Sequence, residues 1–196
     1  MRVLSESSLS AYALLFWRRQ AAKLDPNDRD ALADIKVGGD PVKWLQRSYP
    51  YKLPDVRNDV VSIVQVETRE ELDGLLVHDY VPCDDWMSAR DMVPSPYTRE
   101  LGQLARTFLD RGYFAIPRGD RQYLHFCTWR RTGSLAHAIG PEDRPLIEAV
   151  EFDGKREHEI VDGWGRLLPL AALLCEGLAF RVFEAFLASS SLTKPT

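Results

Sequence analysis

The chain has 196 residues, 45% hydrophobic and 28% charged, enough for one soluble domain with a core of its own. Its net charge of -4 argues against nucleic-acid binding, which needs a basic surface or stripe. No run approaches the roughly 18 apolar residues of a membrane span, so no membrane association is expected. The three cysteines, Cys83, Cys127 and Cys175, show no CxxC spacing; that excludes a disulfide framework or zinc ribbon and points to a reducing cytoplasm.

In chain order, Ser7 or Ser8 is placed to cap a first helix running to about Lys23, with Tyr12, Leu15 and Phe16 as its apolar stripe. Pro26 interrupts it, and shorter helices are expected over 28–35 and 42–47. The Pro-rich segment 49–59 reads as a connector. It divides a helical N-terminal extension (1–55) from an α+β domain (56–190), with 191–196 as a disordered tail. Residues 60–66, VVSIVQV, are a β-branched strand, and Thr68 with Glu71 has capping-box spacing for a short helix. VHDYV at 77–81 is another strand. The polar loop around His78, Asp79, Cys83, Asp84 and Asp85 matches no standard metal spacing, and no metal or cofactor is expected.

Ser95 and Pro96 then mark a helix start and Gly112 its end. YFAIP and QYLHFCTW flank Arg-Gly-Asp as a hairpin. PLIEAVEF and HEIV flank Asp153-Gly154 as a second. A helix over 166–176, stopped by Gly177, and the strand FRVFEAFLA complete an α+β arrangement with a small mixed sheet.

Between the second hairpin and that helix stands Asp162-Gly163-Trp164-Gly165-Arg166-Leu167. Glycines let the backbone turn sharply or lie close to a ligand. The unpaired N–H groups of a helix start favour negative charge, and an arginine can clamp an anion through two hydrogen bonds. The plainer reading makes Asp162 the helix cap and Arg166 its ion-pair partner. The segment, with the hairpin before it and the apolar helix after it, resembles the signature of the ParB/sulfiredoxin superfamily over roughly 145–188. That resemblance implies a ParB/sulfiredoxin-like C-terminal half in which Asp162, Gly163 and Arg166 line an anion site. Where the superfamily carries histidines, this chain has Trp164 and Gly165, so the imidazole for nuclease or kinase chemistry is gone. Trp164 suits stacking on a flat organic ligand.

In PLIEAVEF, alternation places Glu148 among Leu146, Val150 and Phe152, where desolvation raises a carboxylic acid towards neutrality and fits it for acid–base work. The alternative is a buried salt bridge. Read as a strand, QYLHFCTW puts Tyr123, His125, Cys127 and Trp129 on one face, with His137 in the loop beyond. His125 and His137 are the candidate proton carriers; Trp129 is a second stacking surface and Arg121 a second substrate-binding cation. The set suits a small-molecule enzyme acting on an anionic aromatic substrate, such as a Pictet–Spengler-type cyclase joining an aromatic amino acid to an aldehyde. The alternatives are a nucleotide-dependent enzyme or switch of the superfamily's usual kind, and a non-catalytic interaction module. The apolar first helix is the face on which a homodimer would form.

Overall fold

The computed structural model describes residues 1–22, 39–49, 61–80, 94–112, 119–132, 139–152 and 155–189. Among these residues, seven strands form one mixed sheet: β1 (Arg2–Ser7), β2 (Val61–Val66), β3 (Leu76–Tyr80), β4 (Pro94–Glu100), β5 (Leu146–Phe152), β6 (Lys155–Asp162) and β7 (Phe183–Ala188). Their spatial order is β1-β2-β7-β5-β6-β3-β4. β7 runs parallel to β5 and antiparallel to β2; β6 runs antiparallel to β5 and parallel to β3. Helices and a mixed sheet make the fold α+β, as expected.

Side-chain alternation gives the sheet two buried faces. On one lie α1 (Leu9–Ala21) and α2 (Pro41–Ser48), whose Tyr12, Phe16, Trp44 and Leu45 meet Val61, Leu146, Phe186 and Ala188. On the other lie α3 (Arg69–Asp73), α4 (Leu101–Arg111), α5 (Gly119–Thr132) and α6 (Trp164–Cys175), over Val64, Val66, Ile147, Ile160, Phe183 and Ala185. α6 is apolar all round because it is enclosed all round, by the sheet, α4 and α5. Its last turn is held by Arg69, which donates to the Leu174 carbonyl at 3.1 Å and to Cys175 Sγ at 3.3 Å, beside the Gly177 amide that reaches the same carbonyl at 3.2 Å. Among the described residues, no helix is long and apolar enough to cross a membrane.

Several local expectations are met. Ser8 caps α1 through a 3.1 Å bond from the Ala11 amide, and the hairpin of β5 and β6 is in place. Three others are corrected. The front of the chain is not helical throughout: Arg2–Ser7 forms strand β1, paired antiparallel to β2. Its residues are almost all exposed, so no alternation betrays it; the open edge of β2 supplies the hydrogen bonds. Second, the segment over 94–100 is a strand, and α4 starts only at Leu101. Pro94 and Pro96 are tolerated because β4 is an edge strand.

The third correction concerns QYLHFCTW, which is helical within α5. Aromatic and β-branched residues favour a strand there, but Phe126 is buried edge-on against Phe108 of α4 at 5.3 Å between ring centroids. Trp129 packs on the same core, and a spacing of three residues is a helical period. The shared strand face of Tyr123, His125, Cys127 and Trp129 therefore does not exist. Pro169 sits in the second turn of α6. It removes the helical bond that would otherwise reach the Gly165 carbonyl.

The reciprocal cap of α3 is complete: Thr68 accepts from the Glu71 amide at 3.2 Å, while Glu71 accepts from the Glu67 and Thr68 amides at 2.7 and 3.4 Å. Thr68→Ala should lower unfolding stability by about 1 kcal/mol, read as a lower urea midpoint at unchanged m-value.

Candidate functional site

β6 ends in an irregularity. Leu146 of β5 lies opposite Asp162, but Ile147 lies opposite Ile160, so Val161 is an extra residue in β6. A bulge of this kind re-aims the side chains around it. It turns Val161 towards the core beneath α1 and lets Asp162 meet α1. Asp162 is 8% exposed and accepts from Arg19 Nη2 at 2.7 Å.

Arg19 reaches this point because Tyr12, Phe16 and Arg19 stand four and three residues apart, on one face of α1. The Arg19 guanidinium lies 5.5 Å from the Phe16 ring centroid, and its side chain is only 10% exposed. Among the described residues, Arg19 Nη1 is buried with no partner in hydrogen-bonding geometry. Burial is the main force holding the Tyr12 pKa well above 10.0; the nearby Asp162 charge adds to it, and Arg19 and Arg166 oppose it.

The chain then turns at Gly163, the cap of α6, with φ 101°. This left-handed conformation strains any side-chain-bearing residue. A Cβ there would also stand 2.7 Å from Pro145 Cβ. Both facts require glycine, and the cap consequently has no side chain for the amides of the first turn. The close approach to Pro145 brings α6 against the 3-10 turn Pro141–Asp143, where Arg166 Nη1 donates to Asp143 Oδ1 at 2.7 Å. Burial lowers the pKa of the Arg166 guanidinium, the Arg19 charge lowers it further, and Asp162 and Asp143 partly restore it.

The corner thus holds two arginines and two aspartates in alternation. The simple cap-and-pair expectation is corrected: Gly163 is the cap, Asp162 pairs with Arg19, and Arg166 pairs with Asp143. Chemically, the arrangement gathers two guanidiniums, each paired with a carboxylate, at the start of a helix whose first residue is Trp164. Trp164, at the first position of α6, is half-buried against the core.

The other candidate residues are spread more widely. Glu148 is 4% exposed. It lies opposite Glu159 on β6 and Ala188 on β7, on the α1-facing side and two residues, about 7 Å, along β5 from Leu146. His125 and Trp129 stand one helical turn apart on α5, with ring centroids 5.7 Å apart. The next residue, Arg130, pairs at 3.3 Å with Glu176 at the far end of α6. Twelve residues of helix separate that end from Trp164, about 18 Å, so His125 and Trp129 do not join the Arg166 corner. His137 lies outside the described residues, as does the side chain of Arg121. Among the described residues no cluster of three or more metal-ligating side chains occurs.

Sequence reasoning missed Arg19 and Asp143. Arg19 had a readable signal, an arginine continuing the apolar stripe of α1; Asp143 had none, because only the Gly163–Pro145 contact brings it to Arg166.

Tyr12 makes the corner sensitive to alkali. Its pKa is raised in the folded state, so above pH 10 the unfolded chain loses a proton that the folded chain keeps, and stability falls as pH rises. Denaturation at pH 8 and at pH 10.5 should show such a loss in the native sequence and a smaller one in Tyr12→Phe. Comparison of the chain with protein-family models, curated proteins and solved structures finds no match.

Proposed function

We propose that the chain is a small-molecule enzyme that binds an anionic aromatic substrate at the corner of α1, β6 and α6. The observation that carries this reading is the meeting of Arg19 and Arg166 at the start of α6, where glycine caps the helix and Arg19 Nη1 is buried with no partner among the described residues. Structural ion pairs alone would not need an open donor, since buried polar groups are normally satisfied. Preorganised cations and helix amides are the ordinary means of holding a carboxylate or phosphate. The resemblance of the 162–167 segment to the ParB/sulfiredoxin signature supports an anion at the same place.

Trp164 supplies the aromatic surface. Glu148, buried on the α1-facing side of β5, is the carboxylic acid assigned to proton transfer. Pictet–Spengler-type cyclisation belongs to this reaction class, since its substrate carries both an aromatic ring and a carboxylate and its course requires proton removal.

Thermal unfolding in the presence of candidate ligands tests the reading, because a ligand that binds only the folded state raises Tm by mass action. Aromatic amino acids and aromatic carboxylates should raise Tm by a few degrees, and Arg166→Ala should remove the rise. A rise with ATP, CTP or ADP and magnesium instead would favour the nucleotide-dependent alternative. No rise with either class would leave an interaction module as the better account.

A further inference from the structure

The two ion pairs at this corner differ in a way that bears on the ligand. Arg19 and Asp162 are sealed together, their side chains 10% and 11% exposed. Arg166 and Asp143 are 20% and 39% exposed. Asp143 belongs to a three-residue 3-10 turn, whereas Asp162 ends a strand in the body of the sheet. One carboxylate is built in; the other reaches Arg166 from the rim.

We propose that Asp143 is an internal stand-in for the ligand's carboxylate: it occupies the Arg166 guanidinium in the free protein and is displaced when an organic monocarboxylate binds. The proposal rests on the anion-binding reading above and narrows it to one class of anion. With Asp143 in place, the two arginines and two aspartates balance. With Asp143 displaced, Arg19 and Arg166 against Asp162 leave one positive charge, which a monocarboxylate neutralises. A dianionic phosphomonoester leaves an excess negative charge beside Asp162 in a largely buried setting, where uncompensated charge is costly. The planar carboxylate also matches the fork of a guanidinium. Arg19 Nη1, buried and unpartnered among the described residues, offers a donor that Asp143 does not use.

The exchange has a measurable signature, because the internal carboxylate competes with the external one and reduces its apparent affinity. Benzoate, phenyl phosphate and benzyl alcohol can be titrated calorimetrically into the full chain and into Asp143→Asn, Arg166→Ala and the double variant, with Tm recorded for each. Benzoate should bind Asp143→Asn about tenfold or more tightly than the native sequence, as expected for removal of a charge-assisted competitor. The gain should vanish in the double variant, phenyl phosphate should gain less than benzoate, and benzyl alcohol should not respond. Asp143→Ser serves the same comparison should Asp143→Asn fail to fold.

Equal benzoate affinity in the native sequence and Asp143→Asn, with binding still lost in Arg166→Ala, would overturn the stand-in and leave the anion site standing. A gain for phenyl phosphate equal to or above that for benzoate would overturn the monocarboxylate assignment. No binding of either anion to any variant, up to millimolar concentration, would overturn both this proposal and the reading beneath it.

Discussion

A carboxylate taken out of water must be met by a cation, and at the end of β6 that requirement ties the two faces of the sheet together. Asp162 is buried and Arg19 answers it from α1; removing one partner of such a pair costs several kcal/mol, more than the pair itself contributes. The demand fixes the roll of α1, since Tyr12 and Phe16 must then face the sheet, where Tyr12 packs edge-on against Phe186 at 5.7 Å. It also orients the start of α6, because the residue after Asp162 must turn in a left-handed conformation against Pro145. The Arg166–Asp143 contact follows from that turn. Arg19, Arg166 and Asp143 are thus placed around one desolvated charge.

Much of the fold was legible wherever a local rule and the tertiary setting agree. Val61–Val66 shows the β-branched run of a strand, Thr68 and Glu71 show a cap, and Gly177 with φ 97° marks the end of a helix. The readings that failed did so where packing overrules propensity. QYLHFCTW has strand composition, yet Phe126 and Trp129 are claimed by the same core at helical spacing. β1 has no hydrophobic pattern because it is an exposed edge, so nothing in its composition distinguishes it from a tail.

The site was legible only along the chain. Asp162, Gly163, Trp164 and Arg166 are neighbours in sequence and neighbours in space. Their partners are not: Arg19 is 143 positions from Asp162, and its meeting with that residue depends on a single-residue bulge at Val161. A register shift of this kind leaves no mark in composition, although it decides which face of the sheet a side chain serves.

The place of β7 in the sheet has a consequence for how the molecule is assembled. Among the described strands it lies between β2 and β5 and joins the β1–β2 pair to the β5–β6–β3–β4 group. During synthesis both groups emerge before the strand that unites them, each with one edge unpaired and an apolar face uncovered. Closure then depends on contacts across more than a hundred residues, such as Val61 with Ala188, and such non-local pairing is slow and prone to association with other chains. Much of the time the nascent chain is at risk is therefore the wait for Phe183–Ala188.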